Sequence, residues 1–235
     1  MRIIRLESDA NPFLKMDDIL REPVDCSPMR KKLGAGFRPT GKFFDMDYFD
    51  KPNGKSGYQY YKGHSGWKKA ADKLISLYSP KSVLDFGCAK GFLVRSLLKR
   101  GVKSYGVDIS NYVLRKAHRD VKKNLILIRP GEKLTFFSDK SIDLCVSRGV
   151  IEHIPEDILD KVITEIIRVS RRQYLNITGG NTKKEIKYAL NCDASHMTIK
   201  SEKWWIKRLS KLGFEGDLVL NVAKVKNIEK EIKQL

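Results

Sequence analysis

An apolar run meets a glycine-rich turn in the stretch Val83-Leu84-Asp85-Phe86-Gly87-Cys88-Ala89-Lys90-Gly91. Glycine lets the backbone turn sharply and approach a ligand closely, and α/β proteins bind nucleotides at such turns beyond the carboxyl ends of parallel strands. Residues 92–101 follow with apolar side chains at helical spacing, basic residues near their end and a closing glycine. This order of strand, turn and helix predicts a nucleotide-like cofactor at the turn.

Two common phosphate-binding loops do not fit this turn. The pattern G-x-G-x-x-G would need glycines at the positions of Ala89 and Phe92, and a P-loop would need G-K-[ST] after the turn. The carboxylate of Asp85, directly before the turn, also disfavours a pyrophosphate. The dinucleotide and P-loop interpretations are therefore set aside.

Asp108 ends the next strand candidate, about twenty residues after the turn, where a carboxylate typically accepts both hydroxyls of an unphosphorylated ribose. Capping a helix is the alternative role for this side chain. Because the turn and the acid support each other, ribose binding is the favoured role of Asp108.

Strand-like and amphipathic segments alternate along the rest of the chain. The strand candidates are 82–86, 104–108, 125–129, 142–147 and 173–178, and the helix candidates are 67–78, 92–101, 156–170 and 201–212. Residues 217–225 have room for a final strand or a hairpin. The alternation predicts an α/β fold with a doubly wound, mostly parallel sheet.

The first 65 residues lack this rhythm and contain five prolines, at positions 12, 23, 28, 39 and 52. We therefore expect an irregular N-terminal arm or lid over residues 1–65 and a single cofactor-binding domain over residues 66–235. The chain is long enough for one domain with an extension.

Composition bounds the possible partners and compartment. The net charge of +18 favours polyanions such as RNA, although the lysines are spread along the chain and a solvated basic surface explains them equally well. The four cysteines are far apart and no ligand spacing typical of a metal site occurs, so reduced thiols and no metal are expected. No run is long and apolar enough to span a membrane and no signal segment is visible, which predicts a cytoplasmic location.

Three segments carry a family resemblance: D-F-G-C-A-K-G-F-L from Asp85, G-V-D-I-S from Gly106, and S-I-D-L-C-V-S-R-G-V-I-E-H-I-P from Ser141. Over residues 57–214 the chain resembles the class I S-adenosylmethionine-dependent methyltransferases, in particular their methyltransferase type 11 group. The resemblance implies a Rossmann-like fold, S-adenosylmethionine as cofactor and S-adenosylhomocysteine as product.

The resemblance also implies roles for individual residues. Asp108 would hold the ribose and Ile109 would pack on the adenine, while the methionine moiety would contact Asp85, Gly87, Cys88, Ala89 and Gly91. The family's third motif resembles D-A-E-x-L-P-F, but here Pro130 replaces the acid, so the backbone of Gly131 or the side chain of Glu132 is expected to recognise the adenine. Arg148 and Gly149 are expected to line the cofactor site.

Two histidines are candidates for catalysis. His153 follows the fourth strand candidate, where methyl group and acceptor should meet, and His196 lies in a D-A-S-H segment that related enzymes resemble. Either imidazole could act as a general base or contact the acceptor, and either could instead order its loop. Tyr60, Tyr61 and His64 are weaker candidates for covering the cofactor or the substrate, since packing of the arm would account for them equally well.

These features predict methyl transfer to an oxygen, or to a nitrogen, of a small metabolite or saccharide. An RNA or other nucleic-acid methyltransferase is the alternative that the charge favours, although no N-P-P-[YF]-like segment for base amines is present. A cofactor-binding subunit without activity is the third hypothesis. The acceptor and the oligomeric state are not written in the sequence.

Overall fold

The computed structural model describes residues 1–4, 8–13, 25–51, 58 and 60–222. Within these residues seven strands form one sheet in the order β1-β7-β6-β5-β2-β3-β4, and every adjacent pair is parallel. The strands are β1 (Arg2–Ile4), β2 (Ser82–Phe86), β3 (Lys103–Asp108), β4 (Leu125–Leu127), β5 (Ile142–Arg148), β6 (Ser170–Gly179) and β7 (Asp217–Val222). The doubly wound α/β prediction is confirmed.

Helices cover both faces of this sheet. They are α1 (Ser27–Leu33), α2 (Met46–Phe49), α3 (Ser65–Tyr78), α4 (Phe92–Leu98), α5 (Asn111–Lys116), α6 (Glu156–Val169), α7 (Lys183–Cys192) and α8 (Glu202–Lys211). One apolar core joins α3 and α4 to the sheet and to aromatic residues of the arm, and a second joins α6 and α8 to the opposite face. None of the described helices has the length and apolar character needed to cross a membrane.

The N-terminal arm contributes to the sheet, which the sequence analysis did not foresee. Its first residues form the edge strand β1, which pairs with β7. The guanidinium of Arg2 donates two hydrogen bonds to the carboxylate of Asp217, 2.8 and 2.5 Å long, and the hydroxyl of Tyr78 donates to the same carboxylate. A three-residue strand is too short to show periodicity, so only its pairing reveals it.

Helix α7 is a second element without a clear sequence signal. It has a capping box, in which the Thr182 hydroxyl accepts from the backbone N–H of Glu185 and the Glu185 carboxylate accepts from that of Thr182. Ala189 is the one residue of this helix that is fully buried, so no strong apolar stripe marks it. The segment expected at 217–225 is a parallel strand through Val222, and its last three positions lie outside the described residues.

The sheet order places a crevice at the carboxyl ends of its central strands. Strand β2 pairs with β3 on one side and with β5 on the other, so the connections that leave β2 and β5 run to opposite faces. Open α/β sheets bind their ligands at this kind of topological switch point. The fold therefore brings together the three segments on which the family resemblance rests.

Candidate active site

The glycine-rich turn leaves β2 with three residues at positive φ. These are Gly87 at 83°, Ala89 at 45° and Gly91 at 70°. The backbone N–H groups of Gly87 and Cys88 donate to the carbonyl of Val107 in β3, which fixes the turn to the neighbouring strand. A Cβ atom on Gly87 would lie 2.2 Å from a methyl group of Val150, so both the dihedral angle and the space require glycine here.

Asp108 lies at the end of β3, with its carboxylate facing the turn. One oxygen accepts from the backbone N–H of Ala89 and the other from that of Ser110, both at 2.8 Å. Burial raises the pKa of Asp108 to about 6, and these backbone hydrogen bonds oppose the rise. Each carboxylate oxygen has a second acceptor site, so the side chain can still accept hydroxyl donors such as those of a ribose.

Asp85 is the second buried carboxylate of the site. It is 8% exposed, and no hydrogen bond to its side chain is found among the described residues. Burial and the nearby charge of Asp108 raise the pKa of Asp85 to about 7, while the guanidinium of Arg148 acts in the opposite direction. A carboxylate in this setting is stabilised by a cationic ligand. The ammonium and sulfonium groups of S-adenosylmethionine fit that requirement, so the residues present suit this cofactor.

A cavity of about 1150 Å³, its open mouth included, joins the two carboxylates to His153. Its lining is mainly apolar and aromatic with a few charged or polar side chains, which is typical of a site for a small organic ligand. Its floor comes from the ends of β2, β3 and β5. Its wall opposite the glycine turn includes the segment from Ile128 to Gly131.

Aromatic residues of the N-terminal arm cover the cavity. The residues that line it from this side are Phe13, Phe44, Tyr48, Phe49, Tyr58 and Tyr61. Phe13 packs on Tyr174, and the other rings contact one another mostly edge to face, as do Phe44 with Tyr48 and Tyr48 with Phe49 at 4.8 Å between centroids. This set of residues is called the aromatic roof below.

A buried ion pair fastens the roof to the glycine turn. The ammonium of Lys90 donates to both carboxylate oxygens of Asp50 at 2.6 Å and to the carbonyl of Tyr61 at 2.9 Å. The hydroxyl of Tyr112 also donates to Asp50, at 2.7 Å. Burial and this carboxylate raise the pKa of Tyr112 to about 12. No local sequence pattern indicated the pair, because its members lie 40 positions apart.

Most of the residues expected to bind the cofactor do line the cavity. They are Asp85, Gly87, Cys88, Ala89, Asp108, Ile109, Gly131, Arg148 and Gly149, and Tyr61 and His153 line it as well. Five other candidates do not: Gly91, Tyr60, His64, Glu132 and His196.

The five that lie elsewhere have other contacts. Gly91 precedes α4 and packs near Leu125, and Tyr60 is exposed. His64 caps α3, where its Nδ1 accepts from the backbone N–H of Gly66. Burial and the charge of Arg148 lower the pKa of His64. The Glu132 carboxylate accepts from the backbone N–H of Arg129 at 2.7 Å, so it closes its own turn.

His153 is held by a chain of hydrogen bonds. The Ser195 hydroxyl lies 2.6 Å from a carboxylate oxygen of Asp193 and 2.8 Å from His153 Nδ1. Because the carboxylate only accepts, the hydroxyl donates to Asp193 and accepts from Nδ1–H. The lone pair of the neutral imidazole is then on Nε2. Tyr48 of the roof donates to the other oxygen of Asp193 at 2.8 Å.

His196 lies behind His153, with their ring centroids 4.8 Å apart. Its Nδ1 is 2.6 Å from the carbonyl of Ala189, so this nitrogen carries a proton and donates. The sequence pattern indicated His196 as a candidate but not Asp193 or Ser195. The D-A-S-H segment contained them, but nothing in it indicated that Ser195 would contact a histidine 42 positions away.

Comparisons with known proteins find similarity to methyltransferases. Residues 84–173 match the model of a family described as a methyltransferase domain. An uncharacterized methyltransferase of Schizosaccharomyces pombe is 26% identical over 188 residues, which are 69% of this chain and 70% of that protein. An uncharacterized protein of Haemophilus influenzae is 29% identical over 122 residues, and the chain spans about half of that relative's length.

Two solved structures resemble the fold. The YcgJ protein of Bacillus subtilis aligns with a TM-score of 0.51 at 19% identity, covering 63% of this chain and 68% of that one. A SAM-dependent methyltransferase from Archaeoglobus fulgidus aligns with a TM-score of 0.49 at 20% identity and with the same coverage.

Proposed function

We propose that this chain, whose fold is that of the class I S-adenosylmethionine-dependent methyltransferases, transfers the methyl group of that cofactor to an oxygen or nitrogen of a small metabolite or saccharide. One observation carries the proposal. A single cavity has the two buried carboxylates Asp85 and Asp108 near the glycine turn and has His153 in its wall.

The chain's residues would hold the cofactor by charge and by hydrogen bonds. Asp108 accepts the ribose hydroxyls, Asp85 attracts the cationic methionine part, and Ile109 packs against the adenine. The bound cofactor supplies an electrophilic methyl group on a sulfonium. Transfer of that group needs an acceptor atom aligned with the carbon and kept from competing water.

The roof and His153 would supply these two conditions. The aromatic roof excludes water from the cavity, and its ring faces favour a cationic group. His153 presents its Nε2 lone pair to the acceptor because the hydrogen bonds of Ser195 and Asp193 fix the other ring nitrogen. An acceptor that must fit beneath the roof is small, which supports a metabolite or a single saccharide unit over a polymer.

Calorimetric titration with S-adenosylmethionine and S-adenosylhomocysteine tests the cofactor assignment, with Asp108→Ala as the variant. Micromolar binding that weakens at least a hundredfold in the variant is expected, since the ribose loses its acceptor. Absence of binding to either compound in the wild-type protein would overturn the assignment.

Turnover is tested separately. Formation of S-adenosylhomocysteine is measured with panels of small hydroxyl and amine compounds, saccharides, and RNA. The proposal expects turnover in one of the small-molecule panels. Turnover with RNA alone would favour a nucleic-acid methyltransferase, and cofactor binding without any turnover would favour the non-catalytic subunit.

A further inference from the structure

Three buried side chains meet beside the acceptor end of the cavity. Glu152 and His153 belong to the short 3-10 turn after β5, and His196 belongs to the segment that follows α7. One ligand atom of each lies within 4.8 Å of the other two. The three side chains are 1%, 8% and 2% exposed, so the cluster is shielded from solvent on every side except where His153 lines the cavity.

The two imidazoles are oriented as metal ligands are. Histidines that bind a metal through one nitrogen usually donate the other N–H to a carbonyl or to a carboxylate-linked group. His196 Nδ1–H donates to the carbonyl of Ala189, and His153 Nδ1–H donates to Ser195, which in turn donates to Asp193. In both rings the nitrogen with the lone pair is therefore Nε2, and these two atoms come from rings 4.8 Å apart.

Glu152 provides a second and independent observation. Its Oε1 accepts from the backbone N–H of Thr178 at 3.1 Å, but its Oε2 is buried and has no hydrogen-bond partner among the described residues. A buried carboxylate oxygen without a donor is costly, and a cation would satisfy it. No lysine or arginine within the described residues forms a salt bridge with Glu152.

The backbone holds the two contributing segments together. The carbonyl of Glu152 accepts from the N–H groups of Met197 and Thr198, at 2.8 and 2.9 Å, and the Thr198 hydroxyl donates to the carbonyl of Ile154. These bonds fix the register between the turn after β5 and the segment containing His196. The cluster is thus built into the fold rather than formed by side chains that meet by chance.

We propose that Glu152, His153 and His196 bind one divalent transition-metal ion of the zinc class, through a carboxylate oxygen and the two Nε2 atoms. Two imidazoles and one carboxylate form a ligand set that suits zinc and leaves a coordination position open. An ion bound to His153 would lie next to the cavity, because His153 lines it. Donor atoms of a tetrahedral zinc site lie roughly 3.3 Å apart, so binding draws the three side chains together by up to about 1.5 Å.

The metal ion would add a catalytic group to the proposed methyl transfer, so its catalytic role rests on the proposed function. With the ion bound, His153 Nε2 would be a metal ligand instead of facing the acceptor as a base. The metal would then bind the acceptor heteroatom directly, favour an oxygen nucleophile, lower the pKa of its proton and orient it. The sequence shows no spacing typical of a metal site because the proposed ligands are far apart along the chain: His196 follows Glu152 by 44 positions.

Metal binding is measured on the full chain after removal of metals with a chelator, by titration with Zn²⁺ alone and by thermal unfolding with and without Zn²⁺. The variants are Glu152→Gln, which keeps an acceptor for Thr178, and His196→Gln. The matched control is His118→Gln, because His118 is exposed and lies next to Asp120, away from the cluster. Mg²⁺ serves as the comparison ion, since nitrogen ligands disfavour it.

One equivalent of Zn²⁺ should bind the wild-type protein and the control alike, and each cluster variant should bind it at least tenfold more weakly and lose the rise in melting temperature. Far-UV circular dichroism checks that both variants remain folded. Failure of the wild-type protein to bind, or loss of binding in His118→Gln with binding kept in Glu152→Gln, would overturn the proposal. S-adenosylmethionine titration in the chelated protein reports on the proposed function independently of this outcome.

Discussion

Asp85 couples the electrostatics of the site to the stability of the fold. Its pKa is about 7 in the folded protein, above that of an unfolded aspartate, because of burial and the charge of Asp108. Between pH 4 and pH 7 the carboxyl group of Asp85 is therefore protonated in the folded state and ionised in the unfolded state. Stability contributed by the protonated group is present at low pH and is lost as the pH rises through 7.

Asp85→Asn should consequently stabilise the ligand-free protein at pH 8 by about 2 kcal/mol or more, because no charge is buried in the variant. Thermal unfolding at pH 5 and pH 8 measures this, and the gain should shrink at the lower pH. The same variant should bind S-adenosylmethionine far more weakly. Equal melting temperatures of variant and wild type at pH 8 would contradict the electrostatic account.

The affinity for S-adenosylmethionine should depend on the charge of Asp85. The charged and titratable groups around it are Asp108, Arg148, Tyr61 and two buried cysteines. As Asp85 takes up a proton, the dissociation constant should rise roughly tenfold between pH 8 and pH 6. Calorimetry at constant ionic strength measures the slope, which His118→Gln should retain. A flat profile would mean that the cofactor does not contact this carboxylate.

Gly87 is a residue whose backbone conformation and close neighbours leave no room for a side chain. Gly87→Ala would place a methyl group against Val150 at a positive φ, and should lower stability by about 2–4 kcal/mol and weaken cofactor binding. Gly101, which follows α4, provides the matched control, since it has a similar φ of 79° but no atom within 4 Å of an added Cβ. Gly101→Ala should cost only about 1–2 kcal/mol.

Chemical denaturation compares the two glycine variants. Addition of Val150→Ala to Gly87→Ala should restore part of the lost stability by removing the clash while leaving the strained φ. If the double variant were no more stable than Gly87→Ala, the contact with Val150 would not be the cause.

At the scale of elements, the arm is held over the cavity by the pair of Lys90 and Asp50. Both side chains are largely buried, so removal of one charge leaves the other without its partner. Lys90→Met should lower stability by about 1–3 kcal/mol and weaken cofactor binding, because the roof loses its attachment to the glycine turn.

A double-mutant cycle of Lys90→Met and Asp50→Asn measures the coupling by denaturation and by calorimetry. Lys51 and Asp47 form the control pair, since they are exposed and one helical turn apart. Lys51→Met should change stability by no more than about 0.5 kcal/mol. Additive effects within the Lys90 and Asp50 cycle would show that the pair does not fasten the roof.

At the scale of the whole molecule, the strand order places the edge strand apart from the cavity, so a change at the edge can alter the stability of the fold without altering cofactor binding. Strand β1 lies at the sheet edge, with β7 and β6 between it and β5, whereas the cavity forms at the ends of β2, β3 and β5. Arg2→Met removes the guanidinium that bonds Asp217 and should lower the melting temperature by a few degrees, about 1 kcal/mol. Cofactor affinity should stay within twofold of wild type. A large loss of affinity would mean that the edge and the cavity are coupled.

The sequence alone determined the central strands of the sheet and the positions of the glycine turn and Asp108 at their ends. The turn from Asp85 to Gly91 and the acid Asp108 are local patterns, because strand, turn and helix propensities depend on neighbouring residues. Their positions in β2, β3 and the connecting turn agree with the structure, and so does the alternation of elements from α3 to α8, apart from α7. The roles of individual residues in binding remain predictions.

Only the tertiary structure decided the rest, and the physical reason is distance along the chain. Lys90 with Asp50, His153 with Ser195, and Glu152 with His196 are each 40 or more positions apart, and no local periodicity links them. Strand β1 has no recognisable sequence pattern, and only its pairing with β7 defines it as a strand. Contacts of this kind form because parallel strands bring their carboxyl ends to one side of the sheet, where the arm then covers them.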